Sequence, residues 1–280
     1  MKRKETIYKT ILNIIILVFV LIALYPLILM IFGSLKTSEE LSANPAGFPK
    51  AATLMNYFKL FTASGSMIIR SLGNSVFIAV VTTVLTLLFA SMAAYAFAKC
   101  KFKGNKILFG MLLATMMVPM ELTMPPLYIM FSKVKMLNSY SVQILPFVAN
   151  VFALFMMKQF MAGIPDEIIE AARIDGSGHW KIYSRIIVPC SAPVMSALGI
   201  LVFLGRWGEY LWPSIMISKA EYSPIMQILP ILSDGSGNMR SIPWEIILSG
   251  CAVVTIPVII VFFIFQDKFM SSATLGAVKG

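Results

Sequence analysis

The chain has 280 residues, 58% of them hydrophobic and 13% charged, with a formal net charge of +10. That balance leaves more apolar surface than a soluble domain can bury, so it excludes an ordinary soluble fold and points to a membrane protein. The positive charge does not call for nucleic acid: clusters such as Lys2, Arg3 and Lys4, or Lys99, Lys101, Lys103 and Lys106, flank apolar runs, as cytoplasmic ends of membrane helices do.

Crossing a hydrocarbon core takes roughly 20 apolar residues at the helical rise. Charge-poor apolar segments predict six spans, at 11–32, 74–98, 107–131, 138–157, 189–212 and 246–265. The first follows a basic N-terminus but is too long for a signal peptide and lacks an obvious small-residue cleavage site, so it is expected to stay as a membrane helix. The second carries Ala90, Ala94 and Ala98 at four-residue spacing, either a ridge that lets another helix approach closely or ordinary alanine-rich helix.

In the third span Glu121 stands within V-P-M-E-L-T-M-P-P, where an ionisable group is costly. Counted from Ile107 along a straight helix it lies about 21 Å in, roughly two-thirds of the way across the core. It is expected to face protein or a watery cavity, either beside a solute path or bonded among backbone groups loosened by Pro119, Pro125 and Pro126. At the outer end of the fifth span Trp207, Tyr210 and Trp212 fit an interfacial belt better than a sugar-stacking platform.

An even number of spans puts both termini on one side. Placing them in the cytoplasm leaves 14 of the 23 Lys and Arg in the inner segments, the 9 others being spread over outer stretches that include two long loops. The positive-inside rule therefore predicts N-in and C-in. Cys100, Cys190 and Cys251 form no C-x-x-C pair, and His179, the only histidine, has no second ligand at metal spacing; neither type receives a redox or metal role. No P-loop is present and no internal repeat supports an inverted-repeat transporter.

Between the fourth and fifth spans the stretch from Gly163 to Pro189 is too polar for lipid. Pro165, then Asp166 and Glu167, read as a helix start and Gly176 as its left-handed stop, with a second helix from about His179 to Ile187. At 100° per residue, Ile168, Ala171, Ala172 and Asp175 share one face of the first helix, and Asp166, Glu170 and Arg173 the other. In the second, Trp180, Ile182, Tyr183, Ile186 and Ile187 make an apolar arc that also holds His179, opposite Lys181, Ser184 and Arg185.

This stretch resembles the E-A-A motif of ABC importer permeases, E-A-A-x-x-D-G-A, eight residues, then I-x-L-P. Glu170, Ala171, Ala172, Asp175, Gly176, Ile186 and Pro189 agree with it; Ser177 and Val188 are mild departures. The permease likeness extends over about 70–265. It narrows toward the second permease of maltose-type sugar importers through E-A-A-R-I-D-G, W-G-E-Y-L-W-P at Trp207–Pro213 and G-A-V-K-G at Gly276–Gly280.

The resemblance implies an all-α membrane protein of six transmembrane helices with a cytoplasmic coupling-helix loop. Its expected parts are a tail, first helix and outer loop (1–73), a core (74–265) with the coupling loop at 158–188, and a cytoplasmic tail (266–280). It further implies a subunit of the cytoplasmic membrane that is not itself an enzyme. Glu170, Ala171, Ala172, Asp175, Gly176 and Pro189 would couple to an ATPase, and solute, a sugar by family wording, would pass through. The implied partners are a homologous second permease, two cytoplasmic ATPase subunits that use the ATP, an extracytoplasmic solute-binding protein and the lipid bilayer. No cofactor and no nucleic acid are expected. Two rivals are a secondary transporter or channel using Glu121 as an intramembrane charge, and an intramembrane enzyme, for which the chain offers no chemical centre.

Overall fold

A computed structural model describes residues 2–63, 66–231 and 244–277, and among these there is no strand. In chain order the helices are α1 (Lys2–Ser34), α2 (Ser38–Ala43), α3 (Met55–Ala63), α4 (Ser66–Lys99), α5 (Asn105–Thr115), α6 (Met120–Lys133), α7 (Tyr140–Val148) and α8 (Val151–Ala162). There follow α9 (Asp166–Ile174), α10 (His179–Ile182), a π-turn (Tyr183–Ile187), α11 (Val188–Cys190), α12 (Ala192–Trp207), α13 (Leu211–Met216), α14 (Ile225–Ile231) and α15 (Trp244–Ala277).

Four stretches are long and apolar enough to cross a membrane: Tyr8–Ser34, Met67–Lys99, Tyr140–Ala162 and Trp244–Ile264. Two bent pairs bring the count to as many as six if each is one span, consistent with the six expected. The third span departs from the straight helix expected over 107–131, because α5 and α6 meet at 94°. Pro119 has no N–H to continue the ladder and biases Val118 away from helix, so α5 ends and α6 starts afresh with Pro119 as its cap. A depth for Glu121 counted along a straight rise therefore does not hold. The fifth span bends by 75° between His179–Cys190 and Ala192–Trp207 and its helix ends at Trp207, five residues short of the expected 212.

Two compact units are distinguished: Arg70–Gln227 with Val258–Gly280, and Met1–Ile69 with Ile228–Pro257. In the former, Ala90 and Ala94 are buried in a core with Ala153, Leu154, Met157, Met161, Ile187 and Leu198, and Ala98 packs at its edge. The alanine ridge faces protein. A second cluster surrounds Trp212, which is 1% exposed and lies edge-on to Phe147 and Phe131. Its position follows from Pro146, which cannot donate to the carbonyl four residues back; the indole Nε1 of Trp212 donates to that Val142 carbonyl instead, at 2.9 Å.

In the other unit the chain leaves α1 at a lysine with no exposed surface and, among the described residues, no acidic partner. Lys36 Nζ donates to the carbonyls of Asn44 (2.6 Å), Gly47 (2.7 Å) and, more distantly, Pro45 (3.4 Å), so loop dipoles replace water around the ammonium. Asn56 Nδ2 donates to the carbonyls of Ser34 and Lys36, tying α3 to the end of α1. Replacing Lys36 by Met deprives these carbonyls of a shared donor, at about 1–3 kcal/mol. The expected outcome is a lower melting temperature of the purified chain and new proteolytic cuts within residues 37–54, with the exposed Lys50→Met as an unaffected control.

Candidate functional site

The polar loop after α8 forms two helices joined by a turn of defined geometry. Pro165 sets the backbone just ahead of α9, and Asp166 and Glu167 occupy its first turn, where the helix dipole favours acids. At the other end Gly176 has φ +75°, and the amides of Ser177 and Gly176 donate to the carbonyls of Ala172 (2.9 Å) and Arg173 (3.0 Å). This double closure is a Schellman motif, with glycine at the position where a Cβ is strained. Nothing lies within 4 Å of a Cβ built there, so the requirement for glycine is conformational rather than steric.

Which faces turn inward differs from the helical-wheel expectation. Ile169 is 3% exposed and Ala172 packs beside it against the Ala94–Met157 core, whereas Ile168, Ala171 and Asp175 are exposed. Ile168 and Ile169 are neighbours, so periodicity alone leaves the choice open. Asp166, three residues before Ile169 and on its face, is held by Lys99 at 2.6 Å, and this bond fixes the rotation of α9. In the second helix Ile182, Tyr183 and Ile187 are buried as expected, but Trp180 points outward at 66% exposure.

Three side chains of α4 hold this loop, and of these the sequence singled out only Lys99, as a basic flank of its span and not as a loop contact. Lys99 Nζ donates to the Ile164 carbonyl as well as to Asp166 Oδ1, both at 2.6 Å. Tyr95 Oη lies 3.2 Å from His179 Nδ1, and Ser91 Oγ lies 2.8 Å from Tyr183 Oη. The only sequence signal for them is the i, i+4, i+8 spacing of polar groups in an apolar helix.

With its inner face anchored, the loop offers Glu170, Ala171, Asp175, Gly176 and Pro189 to solvent, together with Ile174 (87% exposed) and Trp180. Of the motif residues Ala172, Ser177, Ile186 and Val188 turn partly inward. Glu121 lies elsewhere, in the first turn of α6, exposed and with no hydrogen bond or ion pair among the described residues. Trp207 and Trp212 are buried, so the expected interfacial belt reduces to the exposed Tyr210. Also unforeseen was the pairing of Arg206 with Glu209 (3.0 Å), the guanidinium lying 3.5 Å over the Phe147 ring and the other carboxylate oxygen accepting the Trp212 amide at 3.1 Å.

The Lys99 hydrogen bond, then its charge, lowers the pKa of Asp166 below its ordinary 3.8, against a smaller opposing effect of desolvation. A depressed carboxylate contributes its stability above the unfolded pKa and loses it as pH falls through the folded one. Tethering of α9 is therefore expected to hold at neutral pH and to weaken only as pH falls from 3.8 through the lower folded value, seen as faster cleavage of the loop by an acid protease. Asp166→Asn is expected to flatten that pH dependence.

The family described as binding-protein-dependent transport system inner membrane component matches residues 86–272. The arabinooligosaccharides transport system permease protein AraQ of Bacillus subtilis is 35% identical over 98% of this chain and 97% of its own. The lactose transport system permease protein LacG of Rhizobium radiobacter is 30% identical over 92% of each. A chain of a bacterial ABC transporter involved in the import of the acidic polysaccharide alginate shares the fold, with a TM-score of 0.84 at 21% identity over 95% of this chain and 98% of that one. The chain thus belongs to the binding-protein-dependent transport system inner membrane components and is a permease subunit of an ABC importer.

Proposed function

We propose that this permease carries a sugar or oligosaccharide inward across the cytoplasmic membrane, and that its loop 158–188 is the cytoplasmic coupling element docked on a separate ATPase. The observation that carries the reading is the orientation of the loop. Ile169, Ile182, Tyr183 and Ile187 are buried while Glu170, Ala171, Asp175 and Gly176 are exposed, a helix held rigidly from behind with its motif free for a partner. The solute class rests on relatives whose names specify arabinooligosaccharides, lactose and sulfoquinovosyl glycerol.

A homologous second permease, two ATPase subunits and an extracytoplasmic solute-binding protein complete the machine. One solved neighbour in fold is an alginate ABC transporter in complex with an alginate pentasaccharide-bound periplasmic protein. Both termini and the loop lie in the cytoplasm. ATP-driven closure of the ATPases favours one orientation of the pathway, and the difference in loop contacts between the two states carries the coupling energy. The secondary-transporter and channel reading finds no support among the relatives, which are transport system permease proteins by name, and among the described residues Glu121 has no hydrogen-bond or ion-pair partner.

Glu170 meets a basic group of the ATPase, so Glu170→Ala costs roughly 2–5 kcal/mol of that contact. Gly176→Val forces a β-branched residue to positive φ, at about 1–2 kcal/mol. Both variants are expected to insert normally, lose ATPase on affinity purification and lose stimulated ATP hydrolysis; wild-type retention in both refutes the docking role. In the same membranes a cysteine introduced at Gly178 is expected to react with an impermeant reagent only after the cells are opened.

We also assign Glu121 to the border of the solute path. Glu121→Gln is expected to lower uptake while Glu39→Gln, in the outer loop, leaves it unchanged. Equal uptake and equal complex yield in the two variants removes Glu121 from the path.

A further inference from the structure

The three α4 residues that hold the loop lie four apart, and their partners follow one another along it. Ser91 meets Tyr183, Tyr95 meets His179, and Lys99 meets Ile164 and Asp166. Residues at this spacing form one stripe on a helix. It runs from Ser91, fully buried, to Lys99 at the end of α4, and beside it runs the ridge of Ala90, Ala94 and Ala98 that brings the packing partners close.

The bonds of the stripe are directional and hard to replace. Ser91 Oγ donates to the Leu88 carbonyl at 3.0 Å, so its one proton is used and Tyr183 Oη donates to Ser91. Tyr183 is itself buried and begins the π-turn, an irregularity of the kind found at sites under functional constraint. The rings of Tyr95 and Tyr183, 5.7 Å apart, fill the space between the first two bonds.

Both covalent exits from the loop are broken. Toward α8 the chain turns through Gly163 to Pro165, and toward α12 it bends by 75° at Ser191. By contrast α4 runs unbroken over 34 residues, and of the six spans it alone contains no proline. A displacement of the loop is absorbed at a bend along either covalent route but passes undivided into a straight helix gripped from the side.

We propose that the Ser91–Tyr95–Lys99 stripe is the joint through which movement of the coupling loop is delivered to the second span, with Ser91 and Tyr183 as its positioning residues. The proposal rests on the loop's docking to an ATPase. It makes α4, rather than the spans continuous with the loop, the first membrane element to respond to ATP.

The test uses the complete complex with its ATPase subunits, a Val84→Cys reporter on the exposed side of α4, and serine at Cys100, Cys190 and Cys251. The reading is the change in maleimide labelling rate of the reporter on adding ATP and vanadate. Tyr183→Phe, which keeps the ring, and Ser91→Ala are each expected to reduce that change by roughly two- to thirtyfold, with the double variant no worse than either. ATPase retention is expected to stay at its wild-type value while the melting temperature falls only by what one buried hydrogen bond contributes, so the lost response reports neither undocking nor unfolding. If Ser91→Ala lowers the yield of complex, Tyr183→Phe alone decides. An undiminished labelling change in Tyr183→Phe, a reporter blind to ATP in the parent complex, or loss of the response only in step with ATPase retention overturns the proposal. Failure of the docking reading shows separately, as full ATPase retention in Glu170→Ala.

Discussion

A peptide group inside hydrocarbon has no water to bond, so every N–H and C=O of the spans must find a partner within the protein. That constraint makes the fold helical and explains where it is permitted to stop being so. The Val142 carbonyl, unserved because Pro146 has no N–H, is taken by the Trp212 indole. Thr86 Oγ1 donates to the Phe147 carbonyl at the end of α7. The irregular stretch between α13 and α14 survives on side-chain bonds: Asn138 accepts the amides of Ser218 and Lys219, Asn74 donates to the carbonyls of Glu221 and Ser223, and Gln143 to that of Tyr222. These polar side chains thus mark places where the backbone departs from helix.

The same requirement separates what the sequence discloses from what it conceals. Hydropathy finds the four unbroken spans and the two bent pairs alike, because each is apolar over its length. The conformation of Gly176 is also legible, since few other residues tolerate the backbone that closes α9. The rotation of α9 is not, because Ile168 and Ile169 are equally apolar neighbours and the choice is made by a lysine 67 positions away. Trp212 misleads for a related reason. An aromatic at a span's end suggests an interface until the proline that needs its indole is known to lie across from it. Pro119 was visible, but not the 94° turn that it permits.

If the loop at 158–188 docks on an ATPase as proposed, it combines two demands that usually conflict. It must present an open, chemically specific surface, and it must not deform when pushed. Ile169, Ile182 and Ile187 supply stiffness by burial, and the Schellman turn keeps α9 and α10 in fixed relation without any side chain of its own. Exposed Ile174 and Trp180 then serve as apolar contact area beside the acidic residues, a mixture suited to protein rather than to water alone.

The carbonyl of Ser34 shows how the other unit comes to be assembled. It accepts Asn56 Nδ2 at 2.8 Å and Ser249 Oγ at 3.3 Å, partners 22 and 215 positions along the chain. During synthesis the first bond, like the Lys36 cage closed by residues 44–47, becomes available as soon as residues 35–56 have emerged, since nearby contacts cost little loop-closure entropy. The second must wait for Ser249, 215 positions further on. The stretch after α1 therefore acquires its local shape early, while the seat prepared on α1 stays open until α15 has been made.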